Sequence, residues 1–389
     1  MNVEPSGPPP MKIATTTLFF CVAALLALGM VMLFSASTGQ AEAKYLFWQP
    51  VWCLCGLVAC WAFAAADYRW LKRSPWIPWA FLAFAVLLLG FVLVPGNPFA
   101  PRINGARRWI RVGHFTVQSS ELAKIALIIA LAYYGERSQR HMPTLFRGML
   151  LPGMVIGLVL GLVFLEPDVG TALLLGAVSA ILLLIAGIRW RYFLPPVCIG
   201  AIALGVFLWH NPMRSGRIYS WLHVEETKQD KGLQAYHAMV ALGSGGITGV
   251  GLGDGRQKLG FLPEHHTDFI FSVIGEELGL VATLSVLLAF LVIMMCGVYI
   301  AWSSRDAFGM LIASGITFLI GLQALINVGV VTGSLPNKGL SLPFISYGGS
   351  NLIVLLAGVG LLINIGRQAA DSQRARSPLE GGGASSRLS

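Results

Sequence analysis

The chain carries repeated blocks of consecutive apolar residues, and this feature restricts its fold more than any other. The blocks occupy 14–37, 46–66, 76–95, 119–135, 149–165, 171–187, 192–209, 269–301, 310–330 and 350–366. A helix of about 20 residues crosses a hydrocarbon core of about 30 Å. Lipid offers no water to exposed peptide groups, so each block must satisfy its own backbone as a helix. Only 12% of residues are charged, against about 25% in soluble domains, which excludes a conventional water-soluble fold. The expectation is an all-α membrane protein with ten transmembrane helices over 14–366. Residues 1–13 and 367–389, rich in Pro or in Gly, Ser and Arg, read as disordered flanks. The first block resembles a secretory signal, with Lys12 before it and Ala41-Glu42-Ala43 after it. It is longer than the 7–15 apolar residues of such signals, so it reads as a retained span.

Ten spans place both termini on one side. Lys and Arg number 14 on that side and 12 on the other, or 14 against 6 once the long 210–267 segment is set aside. Long loops translocate largely regardless of charge, so the second comparison governs and the termini are cytoplasmic. The 210–267 segment is then a long extracytoplasmic loop between helices 7 and 8. The net charge of +9 lies on membrane flanks, and nothing points to nucleic acid. The six cysteines fall inside apolar blocks and read as small buried hydrophobes, with no metal or disulfide spacing.

Four of the six exceptions lie in one short outer segment, Arg102, Arg107, Arg108 and Arg111. Arginine suits phosphate or pyrophosphate, but cations beside Trp109 also anchor at a membrane interface. Both readings are open. Glu121 and Lys124, three apart at the start of the fourth block, share a helical face. They read either as a structural ion pair or as a grip on a polar head group.

The outer loops hold the remaining candidates. A glycine-rich run from Gly243 to Gly255 has no preceding strand and no following Lys-Ser/Thr, so nucleotide-loop readings are poor. It reads instead as backbone that lies close to a ligand or re-enters the membrane face. The stretch 261–271 then brings Asp268 to the mouth of the eighth span. That carboxylate suits either a helix cap or a half-desolvated general base. Glu276 and Glu277 lie about 12–13 Å deeper on that span and point to different sides, so at most one shares a cavity with Asp268. The last outer loop, 331–351, is rich in turn residues and carries a single cation, Lys338.

Taken in order, RRWI (107–110) with QSSELAK (118–124), EPDVGTA (166–172), ALGSGGITGVGLG (241–253), LPEHHTDFIFSVIGEELG (262–279) and LPNKGLSLPFISYGGSN (335–351) resemble the SEDS proteins. This family of shape, elongation, division and sporulation membrane proteins has a RodA and an FtsW branch. The resemblance runs over about 14–367, and Gln257-Lys258 with LPNKGLSLPF looks more like the FtsW branch. It implies a peptidoglycan glycosyltransferase that polymerises lipid II at the outer face of the bacterial inner membrane, at the septum for the division branch. The partners it implies are a class B penicillin-binding protein and other divisome or elongasome membrane proteins. The family's catalytic acid matches Asp268, and its intramembrane pair matches Glu121 and Lys124. Arg107, Arg108, Lys338, Glu276, Ser346 and Gly348 are the further candidates for binding substrate. This chain has Glu166 where the family commonly has glutamine, Ser119 where it has proline, and Asn351 where it has serine.

A lipid-linked sugar pyrophosphate is already a good leaving group, so one base and neighbouring cations suffice, unlike the carboxyl pair of glycoside hydrolysis. Asp268 is expected to deprotonate the acceptor hydroxyl, with inversion at the donor carbon. No cofactor is required, although a divalent cation would help Arg107, Arg108 or Lys338 at the pyrophosphate. A lipid II transporter and a scaffold are the rival readings from other classes.

Overall fold

The computed structural model describes residues 10–36, 43–102, 105–113, 115–210, 212–229, 232–258 and 266–381. The chain is mostly helical, and eight helices are long and apolar enough to cross a membrane. They are α1 (Pro10–Ala36), α2 (Ala43–Ala65), α3 (Trp76–Leu93), α5 (Leu151–Leu165, with a π turn before it), α7 (Trp190–His210), α10 (Ile270–Trp302), α11 (Ala307–Val331) and α12 (Gly349–Gly381). Two more coincide with expected spans. Helix α4 (Ser119–Arg137) is diluted by Glu121, Lys124, Glu136 and Arg137, and α6 (Val169–Ile185) is apolar but has 17 residues.

Helices α4, α11 and α12 form the centre. Their buried faces run almost all the way round, the pattern of a helix enclosed by other helices. The outer helices instead keep one apolar face exposed, with Phe20 and Phe34 on α1, Leu87 on α3, Ile199 and Ile202 on α7, and Leu288 and Met295 on α10. A ring of exposed aliphatic and aromatic side chains around a helical centre is what a lipid-facing perimeter requires.

Two expectations need correction. Helix α1 starts at Pro10 and buries Met11, ahead of the expected boundary at 14. Helix α12 continues to Gly381, so 367–381 of the expected disordered tail are helical, while 382–389 lie outside the described residues. Its extension is held because Ala369 and Ala370 are buried, and Gln368 donates to Asp67 Oδ1 (2.8 Å) across the bundle. The long 210–267 loop contains two helices, α8 (Pro212–Leu222) and α9 (Leu233–Ser244).

The basic outer segment also has structure that periodicity did not suggest. Strands β1 (Trp109–Val112) and β2 (Phe115–Gln118) form an antiparallel hairpin with Trp109 opposite Gln118. Phe115 packs edge-on to Trp48 and Trp52 of α2, with ring centres 5.5 Å apart. The hairpin leads directly into α4 and so sets the position of Glu121 and Lys124.

Helix α10 is broken at Gly279, whose φ of 75° falls in the region glycine occupies readily. In an unbroken helix the N–H groups of Leu280 and Val281 would donate to the carbonyls of Glu276 and Glu277. Here they donate to Gly246 (3.0 Å) and Ile247 (3.3 Å) instead. The vacated carbonyls of Glu276 and Glu277 accept from Val250 (3.0 Å) and Gly251 (3.1 Å). The glycine-rich run therefore repairs the broken helix by exchanging hydrogen bonds with it. This is how irregular backbone is tolerated at membrane depth.

Candidate functional site

The site is assembled where the start of α10 meets the loop between α11 and α12. Asp268 is half-buried, one residue before Phe269, which occupies the N-cap of α10 without a side-chain cap bond. The capping role open to Asp268 is therefore not taken up. Its backbone is fixed from several sides. Asn327 Nδ2 donates to the carbonyls of Asp268 (2.8 Å) and Leu340 (2.7 Å). Ser346 Oγ donates to the Thr267 carbonyl (2.5 Å), and the Tyr347 N–H donates to the carbonyl of His266 (3.0 Å). The His266 ring stacks on Tyr45 of α2 (4.4 Å). Ser346 is buried, so it positions the residues before Asp268 rather than presenting a hydroxyl to the outside. Gly348 caps the same turn, accepting from the Leu352 N–H (2.9 Å) as α12 begins.

The Asp268 carboxylate lies over Gly339, where a Cβ would come within 2.8 Å of Oδ2. Lys338 is the next residue along. Its Cβ and the Leu340 side chain close on Gly170 in the first turn of α6. Lys338 makes no side-chain hydrogen bond or ion pair among the described residues, and burial lowers its pKa from the usual lysine value. A half-desolvated ammonium without a counter-ion, beside a carboxylate-bearing backbone, is a ready anion site.

The arginines are occupied differently. Arg108 Nε and Nη2 donate to the carbonyls of Glu166 (2.9 Å) and Pro167 (2.7 Å), and Nη1 lies 3.7 Å from Asp168 Oδ2. It clamps the turn between α5 and α6. Arg107 turns back to the Val94 carbonyl (2.9 Å) at the end of α3. Asp168 caps α6 through Thr171 N–H (3.1 Å) and accepts from Gln118 (3.2 Å). Glu166 is buried, accepts from Ser119 Oγ (2.8 Å), and burial pushes its pKa up to about 8. At neutral pH burial therefore favours the protonated, uncharged form of this carboxyl.

The intramembrane pair forms as its spacing implies. Lys124 Nζ lies 2.8 Å from Glu121 Oε2, a charge contact in which that oxygen accepts no aligned hydrogen bond. Lys124 also donates to Gln323 Oε1 (3.3 Å). Gln323 Nε2 donates to the Ser341 carbonyl (2.9 Å) and to Asn351 Oδ1 (3.3 Å), and Asn351 Nδ2 donates to Ser341 Oγ (2.8 Å). The buried pair is thus tied to the loop that carries Lys338 and Gly339.

Glu276 is separate from this group. Its carboxylate accepts from the backbone N–H groups of Arg256 (2.8 Å) and Gln257 (3.3 Å). Glu277 meets Lys258 Nζ at 2.6 Å and accepts from Ser35 Oγ (2.6 Å) and Gly253 N–H (3.0 Å). Both acids hold the glycine-rich run against the helix break, because Gly279 lets that run dock where the next turn of helix would lie. Residues 259–265, which connect it to Asp268, lie outside the described residues.

Sequence reasoning missed Lys258, Gln323 and Asn327. The last two were accessible in principle, since polar side chains four apart in an apolar span share one face and mark internal contacts. Lys258 had no periodic signal, because its partner lies across a break that only glycine at 279 permits.

Residues 15–371 match the sequence profile of the cell cycle protein family of FtsW, RodA and SpoVE. The chain is 41% identical over 349 residues to a probable peptidoglycan glycosyltransferase FtsW of Geobacter metallireducens, covering 88% of this chain and 92% of that protein. It is 36% identical over 354 residues to stage V sporulation protein E of Bacillus subtilis, covering 88% of this chain and 94% of that protein. Among solved structures, a chain from a peptidoglycan synthase complex described as coordinating polymerization and crosslinking superposes with a TM-score of 0.76 at 29% identity, covering 90% of this chain and 97% of that one. The rod shape determining protein RodA of Thermus thermophilus gives a TM-score of 0.67 at 30% identity, covering 90% and 96%. The shared fold, and a profile match spanning nearly the whole bundle, make this chain a member of the FtsW, RodA and SpoVE family.

Proposed function

We propose that this protein is a peptidoglycan glycosyltransferase of the division type, polymerising lipid II at the outer face of the bacterial inner membrane. The observation that carries the mechanism is the Asp268 carboxylate resting on Gly339, next to the uncommitted Lys338. Asp268 takes the proton of the acceptor sugar hydroxyl. The hydroxyl oxygen attacks the donor anomeric carbon from the opposite side, and the bond to the lipid pyrophosphate breaks. Lys338 meets the negative charge that grows on the leaving group. Arg108 and Arg107 shape this rim by holding the α5–α6 turn and the end of α3. Asn327, Ser346 and the Lys124–Gln323–Asn351 network keep the loop in register.

In this reading ten helices cross the membrane, with α4 and α6 completing the eight long ones. Both termini are cytoplasmic, and α8 and α9 lie in the outer loop between the seventh and eighth spans. A class B penicillin-binding protein crosslinks the strands that this chain makes at the septum.

Incubation of the purified protein with labelled lipid II, with and without the penicillin-binding partner, tests the proposal. Glycan strands in the absence of another polymerase support it. Scrambling of labelled lipid across liposomes with no polymer formed would instead favour a transporter. Repeating the assay in EDTA decides whether a divalent cation assists Lys338.

A further inference from the structure

On the opposite face from Asp268, the turn between α2 and α3 and the end of α4 enclose a pocket of about 720 Å³. Arg69, Lys72, Arg73 and Arg137 line it, with Asp67 and Glu136 as its acids. Not all of these charges are available. Lys72 is held between Glu136 (2.6 Å) and Asp306 (2.7 Å). Asp67 Oδ1 accepts from Arg69 N–H (2.9 Å) and Gln368 (2.8 Å). Arg73 and Arg137 make no side-chain hydrogen bond or ion pair among the described residues, and Arg69 Nε is buried without an acceptor. The pocket therefore offers more guanidinium donors than its own acids use.

We propose that this inner-face pocket binds a phosphate group, that of an anionic inner-leaflet lipid. Its position fits that ligand. The pocket lies at the ends of three helices on the side where both termini emerge. Trp70 in its lining is 45% exposed, and Trp76 at the start of α3 is 68% exposed, as aromatic side chains are at headgroup depth. Guanidinium groups bind phosphate through paired N–H donors, and Trp70 with Pro75 gives an acyl chain an apolar way out toward the bilayer. A general attraction of basic loops to anionic lipid would not require a formed pocket or a buried arginine N–H. Nothing in this site touches the residues proposed for glycosyl transfer.

The test is native mass spectrometry of the full chain taken from vesicles of phosphatidylglycerol and phosphatidylcholine, with phosphatidylcholine alone as reference. The Arg73→Gln/Arg137→Gln double variant is compared with Arg189→Gln/Arg191→Gln, which removes two cations from another inner loop. The first variant should bind phosphatidylglycerol about 25-fold more weakly, roughly fivefold per cation, while the second retains it. Release of the bound lipid by millimolar inorganic phosphate would keep the site and assign it to a free phosphate ligand. Equal retention by both variants, or equal loss from both, would overturn the proposal.

Discussion

The Asp268 carboxylate lies against Gly339, so close that a Cβ added to residue 339 would come within 2.8 Å of Oδ2. Asp268 and the loop before α12 are therefore one unit, and a side chain at residue 339 would have to displace the carboxylate. Gly339→Ala should displace the carboxylate and lower the polymerisation rate at least about tenfold, since small misplacements of a catalytic group cost that much or more. Its melting temperature should change little, because residue 339 is exposed. Initial rates and thermal unfolding in detergent check both halves.

Lys338→Ala should lower kcat by about 100-fold to 1,000-fold, the usual effect of removing one donor to a developing anion. The lysine must be charged to act, and burial lowers its pKa. Activity should therefore fall on the alkaline side at a pH below the ordinary lysine value. In Lys338→Arg that limb should move to higher pH, and a pH–rate profile of both proteins decides it.

Glu166 gives a stability prediction with a definite sign. Its pKa in the folded protein is about 8, above the ordinary glutamate value of 4.5, because burial disfavours the charged form. The stabilising contribution of the protonated carboxyl is complete below the unfolded value and is lost as pH rises through the folded one. Stability should thus decline between about pH 4.5 and 8, by at most about 1.4 kcal/mol per pH unit. Glu166→Gln should remove that dependence and still accept from Ser119, as seen by unfolding across the same range.

The Lys258–Glu277 pair is buried, with relative side-chain exposures of 1% and 0%. Lys258→Met strands a buried carboxylate and should destabilise by about 3–5 kcal/mol, whereas Lys258→Met with Glu277→Gln should recover a large part of the loss. Gly279→Ala should be as damaging as the single Lys258 change. Its Cβ would meet Gly249 N at 2.3 Å and Ile247 O at 2.5 Å, from a φ of 75°. A double-mutant cycle by chemical unfolding measures the pair, and loss of the folded fraction in size-exclusion chromatography reports the glycine.

Much of this arrangement was legible in the chain. Apolar block length located the helices, because in lipid a span has only one way to satisfy its backbone. The i, i+3 spacing of Glu121 and Lys124 gave their pairing. Charge spacing could not show how Arg108 is used, because its partners are the carbonyls of Glu166 and Pro167, and main-chain acceptors leave no trace in residue identity. The helical angle sends Glu276 and Glu277 to different sides, yet both hold the glycine-rich run, because that run docks across the break that follows them at Gly279 and reaches both. For Asp268 the residues alone left capping and catalysis open. The N-cap at Phe269 removed the first, and the contact with Gly339 beside Lys338 supports the second.

The most direct test is lipid II polymerisation by Asp268→Asn, an isosteric change that keeps the neighbouring backbone contacts but cannot accept the hydroxyl proton. The account predicts loss of polymer by at least about 100-fold, in the range expected for a general base, with an unchanged elution profile and melting temperature. Polymerisation at the normal rate by the folded variant would contradict it.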